Sequence, residues 1–199
     1  CIVGRLAAEI CIADPLRKEA KAAIEALHAC GISKVVMMTG DNRKTAQAVA
    51  REVGVDQFYA DVLPEDKASF IWQEKSAGRK VIMIGDGVND TPALSEADVG
   101  IAINTGAAIA REIADVTIAS EDLFELVTLR KISQALMNRI HRNYRFIVGF
   151  NCMLIALGVA GVIQPTTSAL LHNASTLGIS LDSMTDLLDK EKECKEPEA

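Results

Sequence analysis

The sequence predicts an α/β fold, a doubly wound parallel sheet, followed by a hairpin of two membrane-spanning α-helices. Three observations predict it. Short apolar runs with β-branched members, at residues 35–38 and 80–84, alternate with stretches of helical periodicity. Both runs break into small polar clusters, Thr39-Gly40-Asp41-Asn42 and Gly85-Asp86-Gly87-Val88-Asn89-Asp90. Those clusters stand at the strand ends where open parallel sheets bind ligands. From Phe146 to Ile163 the chain then turns apolar for about eighteen residues, the length of a membrane span.

Residues 6–13, rich in Ile and Ala, read as a strand leading into Asp14 and Pro15. Residues 15–30 place Leu16, Ala20, Ala23, Ile24 and Leu27 on one helical face and stop at Gly31. His28, near that end, is explained by the favourable site for positive charge at a helix C-terminus. After the strand at 35–38, residues 43–53 are helical in pattern, and Pro64 opens a further helix whose face Phe70 and Trp72 serve. Beyond the second acidic cluster, Thr91-Pro92-Ala93-Leu94 starts a short helix, and residues 98–103 form a strand ended by Asn104-Thr105-Gly106. A small-residue helix at 107–114, a strand at 115–119, and a long helix from Asp122 to about Ile140 complete the α/β part.

The bounds on function are broad. The chain has 199 residues, 49% hydrophobic and 24% charged, enough for one ordinary domain and a smaller unit. A net charge of −6 argues against nucleic acid as a partner. The five cysteines show no Cys-x-x-Cys spacing, which fits reduced thiols in a cytosolic setting. The chain opens on Cys1 without a secretory leader, so a piece of a longer reading frame is expected.

Asp86, Asn89 and Asp90 supply hard oxygen donors without sulfur or imidazole, a set that suits magnesium. The glycines among them allow close backbone approach to a ligand. A hydroxyl and a backbone N–H at Thr39 and Gly40, a lysine at Lys67 and the acidic turn at Asp86 are the parts needed to hold a phosphoryl group. Lys80 is the alternative phosphate lysine, although a lysine entering a strand commonly protects an edge.

Thr39-Gly40-Asp41, Pro64-Glu65-Asp66-Lys67 and Gly85-Asp86-Gly87-Val88-Asn89-Asp90, in this order and spacing, resemble the phosphorylation domain of a P-type ATPase of the haloacid-dehalogenase-like superfamily. Asp14-Pro15-Leu16-Arg17 resembles the family's hinge to its nucleotide-binding domain. The resemblance implies a remnant of that nucleotide-binding domain at 1–13, the phosphorylation domain at 14–140, two membrane helices at 141–188 and a cytoplasmic tail at 189–199. It implies ATP and magnesium as ligands of the intact enzyme, with Asp86 and Asp90 toward the metal. Thr39, Gly40, Asp41, Lys67, Asn89 and Asp90 then form the catalytic surroundings. The family's nucleophile, the first Asp of Asp-Lys-Thr-Gly-Thr on a central strand, occurs nowhere in these residues. The expectation is therefore the carboxy-terminal part of an ATP-driven pump, inactive without the remainder. The alternative is a catalytically silent, membrane-anchored partner protein, and a soluble phosphatase of the same superfamily is a further reading.

Arg139, Arg142 and Arg145 precede the first apolar run and place its start, with the α/β domain, on the cytoplasmic side of the cell membrane. The second span, residues 169–188, carries His172, Asn173, Ser175 and Thr176, and polar groups at such positions commonly face a bundle interior or an ion path. Imidazole with oxygen donors suits zinc, cadmium, cobalt or manganese-like ions, whereas copper(I) favours Cys and Met. His172-Asn173-Ala174-Ser175-Thr176 is similar to the last membrane helix of the heavy-metal branch, which implies a transported heavy-metal cation. Asp182 and Asp186 lie deeper or near the cytoplasmic end, where interface exposure explains them as well, and that end departs from the branch, in which Asn and Arg are expected near the final turn.

Overall fold

The computed structural model describes residues 16–85, 88–103, 112–120 and 122–187. It divides into two compact units, Cys1–Val127 and Thr128–Ala199. Asp14, Pro15, Asp86 and the strand expected at 6–13 lie outside the described residues, as does most of the small-residue helix expected at 107–114.

In the first unit helices alternate with strands: α1 (Ala20–Ala29), β1 (Val36–Met38), α2 (Arg43–Val53), β2 (Gln57–Tyr59), α3 (Pro64–Ser76) and β3 (Ile82–Gly85). A 3₁₀ turn at Val88–Asp90 then leads to α4 (Thr91–Glu96), β4 (Val99–Ile103) and β5 (Val116–Ile118). Every strand pair is parallel, as the α/β reading requires. β1 pairs β2 with Val36 opposite Gln57, and β3, β4 and β5 pair in that order with Ile82 opposite Val99 and Ile101 opposite Val116. Where one sheet is expected, the described strands form two, and β1 and β3 are each paired along a single edge.

β2 has no counterpart in the sequence reading. Three residues are too few for periodicity to register, although Phe58 and Tyr59 are strand formers bounded by Gly54 and Asp61. Small residues bring the helices close: Ala20 and Ala23 of α1 and Ala46 and Ala50 of α2 are all buried. Asn42 caps α2, its side-chain oxygen accepting from the N–H groups of Lys44 and Thr45 at 3.1 Å each.

One device recurs where strands begin. Asp56, immediately before β2, accepts the Val35 N–H at 2.6 Å and returns its own N–H to the Val35 carbonyl at 3.0 Å. Asp98, immediately before β4, does the same with Val81, at 2.9 and 3.0 Å. Asp115, before β5, accepts the Gly100 N–H at 2.8 Å. Each carboxylate thus extends a short parallel ladder by one bond at its amino end. The Val81 N–H, followed by Lys80 with its Nζ 2.9 Å away, holds the Asp98 carboxyl below the usual carboxylate range.

The core of this unit packs α4 onto β4. Leu94 is 1% exposed against Ala102, with Met83 and Ala114 alongside. Gly100 makes the approach geometrically feasible, since a Cβ there would lie 2.8 Å from the Leu94 carbonyl oxygen.

The remaining helices are α5 (Phe124–Val159) and α6 (Pro165–Ser183). The first corrects the expected break near Ile140. Residues 140–145 contain neither Gly nor Pro, and their arginines favour helix, so α5 continues for about 54 Å of rise. The expected membrane spans are not reproduced as such: among the described residues no helix is long and apolar enough to cross a membrane. α5 stops at Val159 because Gly161 takes the left-handed conformation (φ 73°), its N–H turning back to the Gly158 carbonyl. The apolar run thus contributes only residues 146–159 to the helix, about 21 Å of rise, against about 30 Å of bilayer hydrocarbon. α6 begins at Pro165 and ends at Ser183, where the sequence reading runs from 169 to 188, and its polar residues lower its apolar character.

Two outcomes are expected from this packing. Gly100→Ala should lower stability by about 1–3 kcal/mol in chemical denaturation, because α4 must move off β4. Asp98→Asn should cost stability at neutral pH. With the folded pKa depressed, that contribution is present above the unfolded carboxyl pKa and is lost as pH falls through the folded value, so the two proteins should converge in acid melts.

Candidate functional site

The polar clusters gather where the parallel strands end. Thr39 follows β1, its N–H bonded to the Tyr59 carbonyl at 3.1 Å as a continuation of the ladder. Its hydroxyl accepts the Asp41 N–H and donates to the Asp41 carboxylate, both at 3.1 Å. This loop is tied to the one that follows β2: Val62 N–H donates to the Thr39 carbonyl at 3.0 Å and Asp61 N–H to the Asp41 carbonyl at 2.9 Å. Asp61 takes a left-handed conformation (φ 55°), which Asp tolerates better than most residues. The loop at Thr39 is thereby joined to the segment that opens α3.

Lys67 lies on the first turns of α3, just after Pro64 and Asp66. Asp66 turns back to accept the Leu63 N–H at 3.2 Å, which settles the start of the helix. From there the Lys67 ammonium reaches Asp90 Oδ1 at 2.8 Å, with both side chains largely buried. Asp90 is the buried acid among the described residues, 9% exposed. It is pressed against the end of β3, since a Cβ on Gly85 would lie 2.6 Å from the Asp90 Cβ and 2.8 Å from Oδ2. Gly85 therefore serves as space for Asp90. Its neighbour Thr91 carries a buried hydroxyl with no hydrogen-bond partner among the described residues, and Asn89 is exposed.

The structure thus joins Lys67 directly to Asp90, and Thr39 to Asp41. It separates the two candidate lysines, because Lys80 is taken up by Asp98 at the amino end of β3. The donor chemistry of Asn89 and Asp90 fits a hard cation such as magnesium, with Asp90 Oδ1 engaged by Lys67. No group of three or more His, Cys, Asp or Glu gathers among the described residues, and Asp86 lies outside them.

In the second unit, His172 Nδ1 stands 2.8 Å from Asn151 Oδ1 on α5. Ser175 and Thr176 donate their hydroxyls to the His172 carbonyl at 2.8 and 3.0 Å, the local bonds that helical spacings of three and four allow. Asn173 is exposed. Sequence reasoning missed Asn151, a lone amide in an apolar run whose partner is distant in the chain. His28, read as a helix-end charge, is placed with Nδ1 2.8 Å from the Ile32 carbonyl and Nε2 3.2 Å from Asp56.

Residues 1–98 match the family "Hydrolase: haloacid dehalogenase-like hydrolase". The chain is 46% identical over 170 residues to "Copper-transporting ATPase 1" of Rhizobium meliloti (strain 1021), covering 85% of the chain and 20% of the relative. It is 41% identical over 175 residues to the "Copper-exporting P-type ATPase" of Staphylococcus aureus (strain MRSA252), covering 88% and 22%. Among solved structures, a zinc-transporting PIB-type ATPase in an E2.Pi state superposes with a TM-score of 0.80 at 32% identity, over 86% of this chain and 28% of the other. The chain spans about one fifth of the length of the curated relatives it matches. Residues 1–98 thus carry a haloacid dehalogenase-like hydrolase domain, and the relatives of the chain by sequence and by fold are P-type ATPases.

Proposed function

We propose that this chain is the phosphoryl-handling and terminal helical part of an ATP-driven heavy-metal cation pump that works through an aspartyl phosphate. The observation that carries the reading is the Lys67–Asp90 pair, which joins two separate motifs at the carboxyl end of the strands. Lys67 brings positive charge to the transferring phosphoryl group, and Thr39 and Gly40 offer a hydroxyl and a backbone N–H to its oxygens. Asp41 orders that loop through the Thr39 hydroxyl. Asp90 holds Lys67 in place, and Asn89 completes the turn. Magnesium, when bound by Asp86 and Asp90, neutralises phosphate charge. The nucleophilic Asp comes from a strand outside these residues; among the described strands β1 and β3 are each paired along one edge.

In this reading residues 14–140 are the phosphorylation domain, Asp14 and Pro15 the hinge from a nucleotide-binding domain to which residues 1–13 belong, and 189–199 the cytoplasmic tail. Residues 141–188 are the last membrane hairpin of a cell-membrane protein, with the α/β domain cytoplasmic. Support comes from the exposed apolar exterior of that hairpin: Val159 is 86% exposed, Val162 68% and Leu170 71%. Such side chains call for lipid or neighbouring helices. The transported ion passes His172, with Asn173, Ser175 and Thr176 nearby. The imidazole and amide pair favours a zinc-, cadmium-, cobalt- or manganese-like cation over copper(I), although relatives named for copper and for zinc both match.

Phosphoenzyme formation from labelled ATP in the intact pump tests the site. Asp86→Asn should abolish incorporation, and Lys67→Met should lower its rate by about 10²–10³-fold, the usual loss for one preorganised donor. Full incorporation by either variant at unchanged magnesium would remove that residue from the site.

A further inference from the structure

The end of α6 contains an electrostatic conflict. A helix ends in carbonyls without intrahelical partners and in partial negative charge. Here the same turn bears the Asp182 carboxylate, with Asp186 close behind. α5 supplies what that turn lacks. Arg139 Nη1 donates to the Ser183 and Thr185 carbonyls at 3.2 and 2.7 Å, and Nη2 donates to the Asp186 carbonyl at 2.8 Å. One turn on, Arg142 Nη2 meets Asp182 Oδ2 at 2.8 Å, and Asn143 Nδ2 donates to Ser183 Oγ at 3.2 Å. A planar guanidinium fork reaches several carbonyls at once, which a lysine ammonium on a flexible stem does not reproduce.

Arg142 and Asn151 are nine residues apart on α5, and Asp182 and His172 ten apart on α6, about 14 and 15 Å of rise. The polar contact of Arg142 with Asp182 and that of Asn151 with His172 thus share one antiparallel register. Between them α5 carries mostly apolar side chains, and apolar contact resists sliding little compared with directional bonds.

We propose that Arg139 is a positioning residue. Its guanidinium closes the end of α6 and, with the Arg142–Asp182 pair, sets the register on α5 that stands His172 beside Asn151. The proposal rests on the pump reading for its consequence, an ion path whose geometry depends on a clasp about three helical turns away. Asp182 and Asp186 are accommodated at this helix end because the cations Arg139 and Arg142 stand on α5.

The test uses the intact pump with Arg139→Ala, Arg139→Lys and the exchanged pair Arg142→Asp with Asp182→Arg. Amide hydrogen exchange over residues 180–187 reads the clasp, and the half-saturating zinc concentration for ATP hydrolysis reads its consequence. Arg139→Ala should speed exchange in that segment about tenfold, leave β3–β5 unchanged, and raise half-saturating zinc severalfold. Phosphorylation by inorganic phosphate should not change. Arg139→Lys should fall between, and the exchanged pair should resemble the parent. Unchanged exchange in Arg139→Ala overturns the clasp. Faster exchange with unchanged zinc dependence overturns the positioning role and leaves a helix cap. If zinc fails to stimulate the parent, the ion reading fails and the exchange data alone decide the clasp.

Discussion

Parallel pairing of very short strands rests on carboxylates at their amino ends. β1, β2 and β5 are three residues each, so every ladder has few bonds and loses a large share of them when an end frays. Asp56, Asp98 and Asp115 add a bond from the side chain, and two of them answer it with their own N–H. A backbone N–H at a strand start would otherwise need water, and an ionised acceptor strengthens the bond that replaces it. With the amino ends secured in this way, the carboxyl ends are free to carry loops.

Those loops form a connected structure. The Thr39–Asp41 turn is stitched to Asp61 and Val62, which lead directly into the helix that carries Lys67. Lys67 is bound to Asp90, and Asp90 occupies space that exists because residue 85 is glycine. Gly100 does the same on the other side of α4, letting Leu94 settle on β4. Two missing side chains therefore place the acidic turn, and a shift of a few tenths of an ångström in α4 would be felt at Asp90. The early turns of α3 also favour negative charge nearby, so the helix dipole and Lys67 act in the same direction on an anion.

The hairpin follows a different logic. α5 buries Leu126 and Val127 at its start, while beyond Phe146 its surface is largely apolar and exposed. Apolar contact alone does not fix where one helix stops along another. Directional bonds do so, at Asn151 with His172 and at the clasp of Arg139, Arg142 and Asn143 on the last turn of α6. Basic residues that read in the sequence as a topological signal are, in the folded chain, also the partners of a helix end.

Spacing along the chain was sufficient for the α/β class, for the strands at 82–85 and 99–103, and for the two polar clusters with Lys67 between them. Alternating patterns and Gly or Pro punctuation are local, and local signals survive in a sequence. β2 escaped because three residues carry no period, and the continuity of α5 escaped because a change from basic to apolar composition looks like a boundary while the backbone has no reason to break. Which lysine meets Asp90, why residues 85 and 100 are glycine, and which acids serve strands instead of ligands depended on contacts between residues far apart in sequence. The same holds for His172 with Asn151 and Arg139 with the end of α6. Residue type states what a side chain is able to bond, but folding chooses the partner, since distance and burial exist only once the chain has closed on itself.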